Sequence, residues 1–529
     1  MKVLLINPPY PFEESPSPPF GLMALAAYLE KKGIEVKIED YIVNRFSEKR
    51  AYEVMSSFAP DVVGSTGVTM NIKKALSILE IYKHINPDVI SVLGGPHATF
   101  DAHNMLLHHP YVDVIVRGEG ELTFEQLLSH LYNNNEYSTI AGISYRDNDN
   151  AIVHNPNRDF IPDINILPYP ARHLVELSKY RALGFPINMM TSRGCPFNCI
   201  FCVGSKMVGR KVRYFETNRV VDEFAMLATM KFKQINIVDD LFTSHKSRCI
   251  EVCKEIKRRG INHPWTAFAR VDTVNVELLE HMKEAGCTML CFGIESGNQE
   301  ILDKVKKKIT LEKCKQAVDM CRQVGISPMT SYILGLPGET EETIKKTLEF
   351  AKQLSDNYGF HVLAPFPGTE VREMKDYYGI EILTNDWDLY DANRAVSVTP
   401  WVTAERINEI VDKFNGSIKA YILSLGEKQK QGQKLSQNEH ELISNIRSFE
   451  ITRDLILDRL IENHPGIANG VPVDAKNEFI EYLSQKMKFP KDEIVREVER
   501  LIQLECIDFV YKENILYPVW KQNTSTCYI

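Results

Sequence analysis

The strongest constraint on the fold of this 529-residue chain is a repeated alternation of short β-branched segments with amphipathic segments of helical length. In the first series, the sequence predicts strands at residues 2–6, 36–38, 62–64, 89–93 and 112–116, separated by helices at 21–32, 48–58, 72–84 and 101–108. Strands and helices in this order form right-handed crossovers and a doubly wound parallel sheet. Residues 1–150 are therefore expected to form an α/β domain that binds a ligand at the carboxyl ends of its strands.

A second series of the same kind follows a predicted linker at residues 151–186. Its predicted strands are 188–191, 234–238, 265–269, 289–292, 331–334 and 359–363. Its predicted helices are 219–230, 247–259, 276–285, 311–324 and 340–354. Six successive strands joined by helices predict a partial (β/α)6 barrel over residues 187–385, with its chemistry at the carboxyl ends of the strands.

Residues 386–529 have a different pattern, mainly helical. A helix is predicted from the capping residue Thr403 to residue 425, then a flexible linker rich in Lys and Gln at 427–439. Helices at 443–463, 474–487 and 490–504, the last with Pro490 in its first turn, precede strands at 507–511 and 515–519. This arrangement resembles a winged helix. Ten Lys and Arg against fourteen Asp and Glu over residues 446–520 disfavour a DNA-binding role and favour docking of a substrate or protein.

Charge and cysteine content narrow the class of protein further. The formal net charge of −8 disfavours broad binding to nucleic acid. The apolar run at residues 20–29 is about half of the roughly 20 residues that a membrane-spanning helix needs, and the first residues are too weakly apolar for a secretory signal. Eleven cysteines without such a signal indicate metal binding or catalysis in a reducing compartment. We expect a cytoplasmic protein with no transmembrane segment and no nucleic-acid partner.

Three cysteines form the most specific motif of the chain. Cys195, Cys199 and Cys202 follow the first strand of the second series with the spacing C-x3-C-x2-C. Three thiolates on a four-iron cluster leave one iron without a protein ligand, whereas an electron-transfer cluster needs a fourth Cys. A structural zinc ion also needs four ligands, and no second cysteine pair lies nearby. The motif thus predicts a [4Fe-4S] cluster with one open iron, and the other eight cysteines are expected to be core residues rather than ligands of an auxiliary cluster.

This segment, with the aromatic Phe201 before its last cysteine, resembles the signature of the radical S-adenosylmethionine (SAM) family. The resemblance implies that the amino and carboxylate groups of SAM chelate the open iron. It implies that one electron, from an external donor such as flavodoxin or ferredoxin, cleaves SAM to a 5′-deoxyadenosyl radical that removes a hydrogen atom from the substrate. It also assigns Phe201 to the adenine of SAM.

Residues at the ends of the later strands are similar to further SAM-binding segments of that family. Asp239 matches the place of a polar residue that meets the amino group of SAM, and Arg270 follows the third strand. Glu295 and Ser296 match the ribose- and carboxylate-binding segment, and Gly335 matches a glycine turn beside the adenine. Each carboxylate could instead cap the helix that follows it. The order and spacing of the set after the cysteine loop favour one SAM site.

Small residues dominate the loops that follow the strands of the first series. These loops are Asn7-Pro8-Pro9, residues 65–69 and residues 94–97. They allow the backbone to approach a large flat ligand, although ordinary tight turns have the same composition. The absence of G-x-G-x-x-G disfavours a dinucleotide.

With the sequence R-G-E-G-E at residues 117–121, these loops resemble the Rossmann-like domain of the cobalamin-binding subclass of radical SAM enzymes. The resemblance implies cobalamin as a cofactor. It implies these contact residues: Asn7, Ser65, Thr66, Thr69, Gly94, Gly95 and Glu119. The D-x-H-x-x-G sequence of mutase-type cobalamin domains is absent, which leaves the lower face of the cobalt unliganded or bound by water.

The resemblance implies a cobalamin-dependent methyltransferase that acts on an unactivated carbon. The main alternative is a radical SAM cyclase or C–C bond-forming enzyme with a porphyrin- or lipid-type substrate, with or without cobalamin. A methylthiotransferase is disfavoured because no cysteine precedes Cys195. A cobalamin-sensing regulator is a remote alternative. The substrate, whether peptide, lipid, porphyrin or another small molecule, is not identified by the sequence.

Overall fold

The N-terminal sheet carries seven strands in a computed structural model that describes residues 1–133, 135–468 and 472–521. The strands are β1 (Lys2–Asn7), β2 (Glu35–Asp40), β3 (Val62–Thr66), β4 (Ile90–Gly94), β5 (Val114–Val116), β6 (Ile143–Arg146) and β7 (Ile152–His154). Their order is β2-β1-β3-β4-β5-β6-β7. Strands β1 to β5 are parallel, and β6 pairs antiparallel with both β5 and β7. The five predicted parallel strands are confirmed. The hairpin of β6 and β7 was not predicted, and β7 lies beyond residue 150.

Helices cover both faces of this sheet, as a doubly wound fold requires. They span Phe20–Lys31, Glu48–Phe58, Ile72–Ile85, Pro96–Phe100, Ala102–His108 and Gly120–Asn133. The first and last of these pack against one face of the sheet, whereas the second and third pack against the other. The strand order reverses between β1 and β3. The carboxyl ends of these two strands therefore border the crevice where such sheets bind ligands.

The second sheet is an open barrel of six parallel strands. These are β8 (Ile187–Met189), β9 (Ile235–Ile237), β10 (Trp265–Ala269), β11 (Cys287–Glu295), β12 (Ser327–Leu334) and β13 (Asn357–Val362), paired in sequence order. The helices between them are Thr217–Ala228, Lys246–Arg258, Val276–Glu284, Leu311–Val324 and Glu341–Leu354. All six predicted strands are present, and β8 and β13 form its two free edges.

A loop that carries the three cysteines leaves the barrel after β8. Its two ends are joined by a short antiparallel pairing between Ser192–Arg193 and Arg213–Tyr214. The loop is therefore closed at its base, close to the sheet.

The C-terminal region is mainly helical and includes a small sheet. Its helices are Ala404–Lys430, Gln437–Leu457, Pro472–Lys486 and Lys491–Gln503. The strand Ile515–Trp520 lies between Ile507–Lys512 and Ile467–Ala468 and pairs antiparallel with both. Thr403 caps the first helix, as predicted. The predicted linker at 427–439 is wrong at both ends. Lys, Gln and Glu propagate helices well, and Ser436 forms a capping box with Glu439. Pro490 is the capping residue, not a first-turn residue.

Within the part of the chain that the structure describes, no helix is both long and apolar enough to cross a membrane.

Candidate active site

The three cysteines of the motif lie on the loop after β8, at the carboxyl end of the barrel. Cys202 is exposed, and Cys195 and Cys199 are half-buried. Burial raises the pKa of the Cys195 and Cys199 thiols. Among the described residues, no three His, Cys, Asp or Glu side chains converge closely enough to hold a single metal ion. The three cysteines therefore do not form a mononuclear metal site. A cluster does not require such convergence, because it binds each thiolate at a different iron.

Asp239 holds the backbone segment that leads into this loop. Its carboxylate accepts hydrogen bonds from the backbone N–H and hydroxyl of Thr191 and from the hydroxyl of Ser192, each 2.6 Å long. The side chain is fully buried, so these contacts fix the chain just before Cys195. The structure therefore favours a positioning role for Asp239 over the predicted contact with SAM. The neighbouring Asp240 is exposed and accepts only a long bond, 3.3 Å, from the N–H of Gly194. Asp240 is the better candidate for a ligand contact.

Arg270 contacts the same loop through its guanidinium group. Its guanidinium lies 3.5 Å from the ring centre of Phe197, between two of the cysteines. It also donates to the carboxylate of Asp272 at 3.0 and 3.1 Å and to the carbonyl of Lys307 at 2.7 Å. These contacts make Arg270 a residue that orders the cysteine loop and the segment around Lys307.

Glu295 ends β11 beside Cys199 and is paired with a residue that the sequence did not single out. Its carboxylate accepts from the ammonium of Lys307 at 2.7 Å, and both side chains are buried. The positive charges of Lys307 and Arg270 favour the thiolate form of Cys199, although burial outweighs them. Glu295 has a φ of +71°, a strained conformation for a residue with a side chain, and such strain concentrates at functional sites.

Ser296 is not open to a ligand. Its hydroxyl is fully buried, lies 3.1 Å from the hydroxyl of Thr347 and accepts from the N–H of Asn298. The predicted contact between Ser296 and SAM is therefore not supported, because this hydroxyl joins the strand end to the helix Glu341–Leu354.

Gly335 forms the predicted turn, with a φ of +85°. Its N–H and that of Leu336 donate to one oxygen of Glu339, at 2.7 and 3.0 Å. The other oxygen of Glu339 is buried without a hydrogen-bond partner, and burial raises the pKa of this carboxyl to about 8. Phe201 packs against the apolar cluster that contains Leu336. The structure thus brings Phe201 and the glycine turn into one place, as predicted.

A cavity of about 290 Å³ lies between the two domains. It extends from the carboxyl ends of β3 and β4 into the space between the first sheet and its covering helices. Apolar side chains form its inner wall: Leu5, Phe20, Leu22, Leu25, Val92, Val116 and Phe124. The cysteine-bearing segment forms the opposite wall with Met190, Arg193, Met207 and Val208.

Two glycines allow close packing in the wall of this cavity. A Cβ atom on Gly64 would lie 3.2 Å from the side chain of Leu5. Gly95 has a φ of +92°, and a Cβ atom there would lie 2.6 Å from the hydroxyl of Thr66. Ser65, Thr66, Gly94, Gly95 and Glu119, all predicted to contact cobalamin, line the cavity. This group of small residues and apolar walls fits a flat apolar portion of a larger ligand.

Two predicted cobalamin residues are engaged elsewhere. The amide of Asn7 donates to Asp40 at 2.8 Å, and burial raises the pKa of that carboxyl to about 6. The hydroxyl of Thr69 is buried and lies 3.1 Å from Nδ1 of His97. Both side chains stabilise loops at the carboxyl ends of the strands, and neither lines the cavity.

Glu119 has a second set of partners that the sequence did not indicate. Its carboxylate accepts from Arg193 at 3.2 Å and from Arg213 at 2.9 Å, and Glu121 accepts from Arg193 at 2.6 Å. All four side chains are nearly buried. We call these four residues the interdomain clamp, because the glutamates belong to the first domain and the arginines bracket the cysteine loop. Arg193 lowers the pKa of Glu121.

Loss of Glu119 is expected to destabilise the protein. In Glu119→Ala, Arg213 loses its carboxylate partner and Arg193 loses one of two, and a broken buried pair costs about 3 kcal/mol. We expect a decrease of this size in the free energy of unfolding, measured by urea titration. The exposed Glu136→Ala serves as the control. A decrease below about 0.5 kcal/mol, as for surface substitutions, would show that the clamp does not stabilise the domain contact.

Comparison with known proteins agrees with both domains. Residues 14–128 match the model of the B12 binding domain, and residues 189–351 match that of the Radical SAM superfamily. The chain is 36% identical to the "Uncharacterized methyltransferase PH0819" of Pyrococcus horikoshii, over 78% of this chain and 91% of that protein. It is 29% identical to the anaerobic magnesium-protoporphyrin IX monomethyl ester cyclase of Rubrivivax gelatinosus, over 85% of this chain and 82% of the cyclase.

Among solved structures, the cobalamin-dependent SAM radical enzyme OxsB has the same fold, with a TM-score of 0.71 and 18% identity, over 95% of this chain and 83% of OxsB. The chain belongs to the family of radical SAM enzymes with a cobalamin-binding domain. It is thus an enzyme, and its cofactors are a [4Fe-4S] cluster, SAM and cobalamin.

Proposed function

We propose that this enzyme is a cobalamin-dependent methyltransferase that acts on an unactivated carbon. The observation that carries the proposal is the shared cavity, which is lined both by the cobalamin-predicted loops and by the cysteine-bearing segment. A ligand held there lies next to the loop of Cys195, Cys199 and Cys202. Such proximity is what a methyl donor and a radical source need in order to act on one substrate. The similarity to a protein named as a methyltransferase supports the same reaction class.

We assign the cysteines Cys195, Cys199 and Cys202 to the cluster, and Phe201, Asp240 and Gly335 to the surroundings of SAM. When bound, these cofactors supply a 5′-deoxyadenosyl radical that removes a hydrogen atom from the substrate, and a methyl group carried by cobalamin. Ser65, Thr66, Gly94 and Gly95 contact cobalamin by backbone and hydroxyl groups. The apolar wall around Phe20 and Phe124 excludes water from it.

Lys307 and Arg270 act on the cluster loop through charge. They place two buried cations within electrostatic range of Cys199. Fixed cations stabilise the negative charge that thiolate ligands bring into a partly buried site. The exposed Cys202 marks the side of the loop that faces solvent, and an external one-electron donor such as flavodoxin or ferredoxin reaches the cluster from there. We place the enzyme in the cytoplasm because such thiols need a reducing compartment.

The second candidate function is ring closure or C–C bond formation, with or without cobalamin. It is favoured by the similarity to the magnesium-protoporphyrin IX monomethyl ester cyclase, which extends over most of both chains. The two candidates share the cysteine loop. They differ in whether the product gains the mass of a methylene unit.

The test is anaerobic reconstitution with iron, sulfide and hydroxocobalamin, followed by desalting and a visible spectrum. Retention of about one corrinoid per chain, beside the broad absorption of the cluster, would support the methyltransferase and contradict the cobalamin-independent form of the second candidate. A cluster without retained corrinoid would contradict it and favour the second candidate.

A further inference from the structure

The loop that carries the three cysteines is attached to the barrel through two short paired segments, Ser192–Arg193 and Arg213–Tyr214, which we call the neck. Thr191 lies immediately before the first segment, and Phe215 lies immediately after the second. The backbone N–H of Phe215 donates to the carbonyl of Thr191 at 3.1 Å. Both ends of the loop therefore meet at one point, and a contact at this point acts on the position of the whole loop.

The guanidinium of Arg248 contacts both ends of the loop at this point. Its Nη2 donates to the carbonyl of Thr191 at 2.9 Å and to the carbonyl of Phe215 at 3.0 Å. Its Nη1 donates to the hydroxyl of Thr191 at 3.3 Å. The guanidinium also lies 4.7 Å from the ring centre of Tyr214, in the second neck segment. One side chain thus joins both ends of the loop to the barrel helix Lys246–Arg258.

An arginine is an unfavourable residue at this position. Arg248 lies in the first turn of its helix, where the helix dipole disfavours a cation. Its hydrogen bonds within the described part of the chain all go to neutral oxygen atoms. Burial lowers the pKa of its guanidinium, and the negative charge of Asp239 opposes this shift. Asp239 is linked to Arg248 only through the hydroxyl of Thr191, which donates to the carboxylate at 2.6 Å.

The cost of this placement indicates a requirement other than stability. A buried cation without a direct carboxylate partner and at the wrong end of a helix breaks two local rules at once. Residues that break such rules are expected where function requires a particular geometry. The geometry that Arg248 provides is the closure of the neck.

The neck is held from two sides. On the barrel side, the hydroxyl of Ser244, which follows β9, lies 3.0 Å from the hydroxyl of Tyr214 and adds to the contacts of Arg248. On the other side, the interdomain clamp connects Arg193 and Arg213 of the neck to the first domain. The clamp therefore sets the position of the loop relative to the first domain, whereas Arg248 sets it relative to the barrel.

We propose that Arg248 is a positioning residue for the reaction, which holds the three cysteines at a fixed place above the carboxyl ends of the barrel strands. It acts through the carbonyl groups of Thr191 and Phe215, and its loss loosens the loop without removing a cluster ligand. The inference rests on the proposed function, because that function assigns the cluster to this loop.

The first test uses the full chain without cluster and follows cleavage by trypsin within the loop, where Lys206, Arg210 and Lys211 are exposed. Arg248→Met keeps a long side chain but removes the charge and all three hydrogen bonds. We expect cleavage at these sites to be at least about fivefold faster than in the wild type, because proteolysis follows local opening and a neck with fewer bonds opens more often. Mass spectrometry of the fragments identifies the cleaved bonds.

The second test uses the chain loaded with cluster and compares the electron paramagnetic resonance spectrum of the reduced cluster with and without SAM. In the wild type we expect one well-defined spectrum that changes when SAM is added. In Arg248→Met we expect a broadened spectrum with a weaker response to SAM, and release of 5′-deoxyadenosine at least about tenfold slower, because a small displacement of reacting groups costs much of the rate. The iron content is expected to stay at the wild-type level, since every cysteine ligand remains.

Arg258→Met is the matched control. Arg258 lies on the same helix as Arg248, but its side chain is 71% exposed and pairs with Glu255 at the surface. This variant is expected to equal the wild type in both tests. Arg248→Lys keeps the charge but loses the contact of Nη1 with the hydroxyl of Thr191, and it is expected to be intermediate. It decides the question if the melting temperature shows that Arg248→Met does not fold.

Wild-type cleavage and a wild-type spectrum in both variants of Arg248 would overturn the inference. Faster cleavage spread over the whole chain, instead of within the loop, would also overturn it, because it would indicate general destabilisation. Failure of the wild type to bind iron would contradict the proposed function instead. The cleavage test needs no cluster, so the two failures are distinguishable.

Discussion

Replacing Cys199 with alanine is expected to abolish cluster loading and to reduce SAM cleavage by at least about 1000-fold, since ligands that act as a unit fail together. Cys199 lies on the part of the loop that faces the buried cations. Its Sγ lies 3.9 Å from the carbonyl of Lys306, and the charges of Lys307 and Arg270 act on it. The measurements are bound iron per chain and the release of 5′-deoxyadenosine under reducing conditions.

Cys253→Ala is the control for this experiment. Cys253 is buried in the helix Lys246–Arg258, where its thiol packs in the core. We expect full iron content and unchanged 5′-deoxyadenosine release. Wild-type iron content in Cys199→Ala would refute the assignment of the cluster to this loop, and a loss of iron in Cys253→Ala would indicate an auxiliary cluster.

Replacing Gly64 with leucine is expected to reduce corrinoid affinity at least about 100-fold while the iron content stays unchanged. Gly64 lies in β3 at the wall of the interdomain cavity, and any side chain added there extends towards Leu5 and Phe124. A leucine occupies the volume that the apolar part of the ligand needs, and a steric conflict of this kind is not relieved by small shifts in a packed sheet. The readout is the corrinoid retained after desalting.

The opposite result would contradict this role of the cavity. If the cavity is only a packing defect, the leucine of Gly64→Leu fills it and raises the melting temperature, and corrinoid is retained as in the wild type. Gly416→Leu provides the control, because Gly416 lies on an exposed stretch of the helix Ala404–Lys430 with nothing near its Cβ position. Loss of corrinoid in this control would show that the effect of leucine is unspecific.

The sequence predicted most of the fold because hydrophobic periodicity reports directly on strands and helices. Glu48–Phe58, Trp265–Ala269 and Leu311–Val324 have the predicted bounds. The hairpin of β6 and β7 was missed since its strands are short and lie at a sheet edge, where alternation is weak. The linker before Gln437 was predicted from composition, which does not separate a flexible segment from an exposed helix.

The candidate site was predicted in outline, and the exceptions have a common physical reason. The pattern places Asp239, Ser296, Asn7 and Thr69 at the ends of strands, as the structure does. It does not reveal whether a polar atom is already engaged by a neighbour, and the side chains of these four residues are hydrogen-bonded within the protein. The sequence did not indicate a site role for Lys307, because this residue lies in a run of lysines that is typical of an exposed loop.

The interdomain clamp has a consequence for how such enzymes recombine. The cysteine loop receives its carboxylate partners, Glu119 and Glu121, from a separate folding unit, while Arg193 and Arg213 belong to the barrel. An exchange of N-terminal domains between relatives that lack these glutamates would leave two cations stranded at the base of the loop. Chimaeric enzymes built at the domain boundary should therefore carry all four residues together, so that the two halves remain a matched pair.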